Sequence, residues 1–148
     1  AGIDFANSNY PLWCANAAGR ANLRKGIAPP DSGHPKFNPR PNDIDYQIEA
    51  DFSGLIAPGL PETVIALGEK FGRLMNYGDG VYGGQFVGAM YAEAFFEDDM
   101  VKIVEAALSM AASELTTAPS KAARTKPTRP TFCGRTLPSN WARAVSYL

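Results

Sequence analysis

Large apolar residues recur along the chain at intervals of three and four, and this spacing divides it into helical pieces. Leu12, Ala15, Ala18 and Leu23 predict a first helix near 12–25, ended by two cations and Gly26. Residues 27–42 hold five prolines in sixteen positions, so no regular element persists there and a long extended connection is expected. Ile44, Ile48, Phe52 and Leu55 predict a helix over 43–56 that stops at the Pro58-Gly59 breaker. Pro61 opens another over 61–75, with Val64, Leu67, Phe71 and Leu74 as its apolar face. The stretch NYGDGVYGGQ, residues 76–85, places four glycines in ten positions and reads as a loop. A helix over 84–96 follows, with Phe86, Val87, Met90, Ala94 and Phe95 as its stripe. Another over 99–110 carries Val101, Val104 and Leu108, and Asp98 and Asp99 suit its amino end. No alternation of period two extends far enough to predict a sheet, so the expectation is an all-α orthogonal helical bundle.

Composition adds limits. At 148 residues and 45% apolar, the chain is the size of one globular domain. No run approaches the roughly 18 apolar residues of a membrane span, and AGIDFANSNY lacks the charged and apolar regions of a signal peptide. Cys14 and Cys133 are the only cysteines, too few for a disulfide scaffold and without zinc spacing, which points to a reducing, cytoplasmic setting with no membrane partner. The net charge of -1 hides an asymmetry. From Leu115 to Leu148 there is no carboxylate, while Lys121, Arg124, Lys126, Arg129, Arg135 and Arg143 are basic. Such an arm could contact phosphates, but a solvated tail is the commoner meaning and nucleic acid is not the expected partner. The division is therefore a helical segment over 1–112 and a basic Pro/Thr/Arg-rich tail over 113–148, irregular in structure.

Candidate chemistry is sparse. Asn76, Gly78, Asp79, Gly80, Tyr82, Gly83 and Gly84 form a glycine-rich turn before a helix, where backbone amides and the helix dipole favour an anion such as a diphosphate. It is neither a Walker loop nor a dinucleotide fingerprint, since no Gly-Lys-Ser/Thr follows and no strand precedes. Asp43, Asp45, Glu49 and Asp51 cluster on one predicted helix, and Asp45 with Glu49 has the spacing to hold a divalent cation, although a solvated helix face uses the same spacing. His34 is the only histidine and has no neighbour in sequence to orient it as a base, so it reads as an ordinary loop residue. Trp13, Tyr77 and Tyr82 are candidate platforms for an adenine, with burial the commoner fate of such rings.

Two segments in order, QIEADFSGLIAPGLPETV and MNYGDGVYGGQFVGAMYAEAFFEDD, resemble the ADP-ribosylglycohydrolase family in its bacterial branch, as does the upstream NSNYPLWCANAAGRANLRKGIAPPDSGH. The resemblance implies part of an orthogonal helical bundle that hydrolyses the glycosidic bond of ADP-ribose-like or ADP-ribosylated substrates. It also implies two divalent metals, magnesium or manganese, in the complete protein. The turn from Asn76 to Gly84 matches the family's glycine-rich loop against ADP-ribose, with Asp79 where many members have Asn and Gly84 where some have Glu. The family's acidic motifs, Asp-Asp-Thr-like near the amino end and Asp-x-Asp-Thr/Ser-like near the carboxyl end, do not occur here. Asn42-Asp43-Ile44-Asp45-Tyr46 resembles the first only superficially, so no ligand role is carried over and no metal or catalytic residue is assigned. Family members are longer and the resemblance stops after EAALSM, so the expectation is an internal fragment with an unrelated or frame-shifted tail, inactive by itself. The alternative is a non-catalytic nucleotide-binding or protein-interaction module.

Overall fold

The computed structural model describes residues 6, 7, 9, 11–117, 131, 132, 135 and 136. Its helices are α1 (Cys14–Arg24), α2 (Asp45–Glu49), α3 (Asp51–Ile56), α4 (Pro61–Phe71), α5 (Asp79–Glu93) and α6 (Met100–Thr117), with a 3₁₀ turn over Gly72–Leu74 after α4. Thr131–Phe132 pairs with Arg135–Thr136 in a two-residue antiparallel ladder. The rest of the tail after Thr117, with its basic residues, lies outside the described residues. The described part is helical, as expected, and no helix in it is long and apolar enough to cross a membrane.

Local chemistry explains the element ends. Gly26 adopts a φ of 81° after α1, so its N–H bonds to the Leu23 carbonyl while that of Ile27 reaches back to Asn22. This is a Schellman closure, which needs a left-handed residue that glycine provides without a Cβ clash. Pro61 takes the first turn of α4, where its missing N–H is not needed.

The stretch expected as one helix over 43–56 is two, α2 and α3, which meet at Ala50. The face turned inward is also different from the stripe of large residues. Ala50, Ser53, Gly54 and Ala57 are buried, whereas Ile48, Phe52 and Leu55 are exposed. On α5 the buried residues are Gly80, Val81, Gly84, Gln85, Gly88, Ala89 and Ala92, while Phe86, Val87 and Met90 of the expected stripe are partly buried and Ala94 and Phe95, just past the helix end, are exposed. On α6 Ile103 and Ala107 are buried, while Val101 and Leu108 of the expected stripe are exposed.

Small residues face inward because α5 is the central helix, packed on α2, α3, α4 and α6. Backbones come close enough that a Cβ on Gly54 would meet the Gly88 carbonyl and one on Gly84 the Tyr46 ring. For the same reason α5 begins at Asp79, five residues before the expected start. Gly80, Gly83 and Gly84 lie within the helix rather than in a loop. Glycine's low helix propensity, about 1 kcal/mol per residue, is outweighed by the close packing it permits. Two apolar clusters result: Ala15, Tyr46, Ala50 and Met75 with Leu74 and Val87 against them, and Ala57, Val64 and Ala92 with Leu67.

Candidate functional site

The most ordered polar feature is built around Asn76, fully buried between the 3₁₀ turn and α5. Its Nδ2 donates to the carbonyls of Pro41 (3.0 Å) and Asp43 (2.7 Å), and its Oδ1 accepts the Tyr46 N–H (3.0 Å). The Tyr77 N–H adds a bond to the Pro41 carbonyl at 2.8 Å. A segment made irregular by prolines has few backbone partners of its own, so side-chain amides must satisfy its buried polar groups. Asn38 and Asn22 do the same upstream. Asn38 donates to the Ala15 and Met75 carbonyls, and Asn22 to those of Ser32 and Phe37.

These bonds fix the acidic residues. Asp45 is buried, and its Oδ1 accepts the Asn16 N–H at 2.8 Å. Asn16 lies in the first turn of α1, a helix whose own N-cap residue, Trp13, makes no side-chain cap bond. Asp45 therefore caps α1 from a distant segment, where a carboxylate also suits the helix dipole. Burial pushes the Asp45 carboxyl above its usual value, against the lowering effect of the Asn16 and Ala15 N–H groups, and the nearby Asp43 charge adds to the rise. Glu49 accepts from Asn16 Nδ2 at 2.6 Å. Desolvation of its carboxylate raises its pKa as well, with Asn16 opposing and Asp45 and Asp51 adding.

Cys14, Asp43 and Asp45 bring a sulfur and two carboxylates within 4.8 Å of one another. The magnesium or manganese pair implied by the resemblance does not fit here. Cys14 is disulfide-bonded, so its sulfur is no thiolate ligand, and Asp45 already spends Oδ1 on the α1 cap. Even with waters completing each shell, a pair of hard dications needs carboxylates from more than one short segment to hold them together. The disulfide also removes the cysteine count as a reason to place the chain in a reducing compartment.

The glycine-rich turn divides. Asn76, Gly80 and Gly84 are buried, and their surroundings are protein: Gly80 lies against the Pro41 carbonyl and Asn76, and Gly84 against Tyr46. Gly83 faces the Gln47 side chain. Gly78, at φ 52° and ψ -127°, forms the turn into α5, and Asp79 and Tyr82 offer surface beside it. Arg73 and Glu69, not singled out from sequence, stand nearby with His34. Arg73 lies over the Tyr77 ring at 4.3 Å and forms a bidentate pair with Glu69, while His34 meets the same ring edge-on at 4.7 Å. His34 Nδ1 accepts the Lys36 N–H, which makes it part of a loop closure rather than a base facing a nucleophile. No sequence pattern marks Arg73. Its position one turn after Glu69 was the available signal.

A shallow groove of about 520 Å³ lies elsewhere, lined by Leu12, Trp13, Cys14, Ala17, Ala18, Pro39 and Arg40. None of the residues from Asn76 to Gly84 lines it. Trp13, the third candidate platform, is therefore separate from Tyr77 and Tyr82 in role. Comparison with protein-family models, curated proteins and solved structures gives no match to this chain.

Proposed function

We propose that this chain is a segment of a hydrolase resembling ADP-ribosylglycohydrolases, which in complete form cleaves the glycosidic bond of ADP-ribosylated or related substrates. The segment supplies framework and a small ligand-facing surface, and does not carry out the reaction alone. The observation that supports this reading is the joint at Asn76. Three Asn76 hydrogen bonds anchor Pro41, Asp43 and Tyr46, just before the resembling segment 47–64, and that segment lies directly on the other, 75–99, with Gly83 against Gln47, Gly54 against the Gly88 carbonyl and Gly88 against Val64. On this reading Gly78, Asp79 and Tyr82 face ADP-ribose at the start of α5, where the helix dipole favours its diphosphate. Asn76, Gly80, Gly83 and Gly84 shape that surface from beneath.

The test uses the 148-residue chain. Calorimetric titration with ADP-ribose is expected to show saturable binding that weakens on Asp79→Ala, and incubation with ADP-ribosyl-arginine and excess manganese is expected to release no ADP-ribose. Absence of binding overturns the ligand-facing assignment. Metal-dependent release lost on Asp45→Ala with Glu49→Ala would show instead that the segment is a sufficient enzyme. A second reading, a non-catalytic interaction module, is favoured by the large apolar side chains left open on α3 and α5, and requires no ADP-ribose binding.

A further inference from the structure

Around α3, burial follows helical geometry in a direction opposite to side-chain size. Ala50, Ser53, Gly54 and Ala57, spaced three and four apart, turn toward α5, so Phe52, Leu55 and Ile56 must project from the opposite side. Phe52 meets Phe71 edge-on at 6.1 Å, which carries the apolar surface onto the end of α4. On the other flank Gly54 lies against Tyr91 and Gly59 against the Phe96 ring, which carries it onto the end of α5. From Phe52 to Pro61 no residue is charged, and between Tyr91 and Phe96 only Glu93 is.

The area decides what this surface is for. Taking roughly 200 Å² per aromatic side chain, the open fractions of Phe52, Phe71, Tyr91, Phe95 and Phe96 leave about 500 Å² uncovered. Leu55, Ile56 and Leu60, each about half exposed, bring the face to the neighbourhood of the ~800 Å² per partner that a standard protein interface buries. For the 148-residue chain by itself, this is more apolar surface than a monomer ordinarily leaves in water.

We propose that this α3-centred face is the interface of a two-fold homodimer. An almost uncharged face offers nothing to select a charged partner, and it is compatible with itself. Under a two-fold axis its residues meet one another or their neighbours, and Asp51, Glu93 and the run Glu97-Asp98-Asp99 fall to the rim. Homodimer interfaces are also the more apolar class. A net charge of -1 leaves little long-range repulsion between copies.

Sedimentation velocity of the full chain over a concentration series tests the proposal. A discrete dimer is expected in the micromolar range, with dissociation strengthened by more than about tenfold in the Phe52→Glu, Phe96→Glu double variant, since charges buried at the centre of an interface are the costly ones. Circular dichroism checks that the variant keeps its helices. If it does not fold, a benzophenone amino acid at position 55 of the otherwise unchanged chain is expected to photo-cross-link two copies through α3 or α5. A chain that stays monomeric, a dimer of unchanged affinity in the folded variant, association only into polydisperse aggregates, or a failure to cross-link each overturns it.

Discussion

Two regions of this molecule solve opposite problems. Around Asn76 the backbone is irregular and buried, and asparagine amides hold it: Asn22, Asn38 and Asn76 each bond to carbonyls far away in sequence. Around α3 the backbone is regular and satisfies itself, so the side chains are free to leave the interior and large apolar groups stand in water. In these two regions burial follows backbone need rather than side-chain hydrophobicity. Where prolines remove regular structure, polar side chains go inside. Where glycine and alanine let helices touch, large side chains go outside.

The greatest expected effect comes from breaking the first region. Asn76→Ala removes three hydrogen bonds and leaves the Pro41 and Asp43 carbonyls and the Tyr46 N–H without that partner inside the protein. The Pro41 carbonyl keeps the Tyr77 N–H, so at roughly 1 to 3 kcal/mol for each of the other two groups a loss of about 2 to 5 kcal/mol is expected, a large fraction of a domain's total. Urea unfolding followed by circular dichroism measures it. Asn76→Asp keeps the acceptor but loses both donors and brings a charge into a buried place, so it should do no better. A loss under about 1 kcal/mol would mean that the segment is held by its own turns and the amide is incidental.

These two regions also explain what the sequence disclosed. Helix placement was legible because its signals are local: Pro61 at a first turn, the Pro58-Gly59 break, Gly26 after two cations. Asp99 was likewise read correctly as a cap, since its side chain accepts the Val101 N–H. Facing was legible on α4, where Val64 is buried with Leu67 against it, but not on α3 or α6. A stripe such as Ile44, Ile48, Phe52 and Leu55 identifies the core only when the core is made of large residues, and here close backbone contact selects glycine and alanine, which a hydrophobic pattern ignores. The glycine-rich stretch was taken as a loop for the same reason. Glycine at 80, 83 and 84 has the composition of a ligand loop, but its missing Cβ is used by Pro41, Gln47 and Tyr46. As for the candidate site, Asp43 and Asp45 were visible as carboxylates, while the capping role of Asp45 depended on Asn16, 29 residues away.

That capping role yields a pH-dependent effect of intermediate size. Burial raises the Asp45 carboxyl in the folded chain above its unfolded value. Between those two values the native state binds more protons than the unfolded one, so stability falls as pH rises through the window from the ordinary aspartate range upward, and is level above it. Glu49 contributes with the same sign. Glu97 opposes it, since bonds from the Asp99 N–H and Lys102 hold its carboxyl low and its contribution is lost on acidification. The informative quantity is therefore the difference between wild type and Asp45→Asn. The variant keeps an oxygen for the Asn16 N–H but cannot ionise, so its midpoint should gain on wild type as pH rises from 4 toward 7. A constant difference across that range would remove burial of the Asp45 charge as a cost to the fold.

The smallest expected effect tests the second region against the sequence stripe directly. Val101, Val104 and Leu108 have the spacing of a buried helical face, and on that reading Leu108→Lys would place an ammonium in the core. The structure turns α6 differently, with Ile103 and Ala107 inward and Leu108 49% exposed. A lysine there can lay its stem along the helix surface and keep its charge in water, so the change should stay within about 0.5 kcal/mol. A cost of several kcal/mol in urea unfolding would show that the large residues, and not the small ones, make the interior of α6.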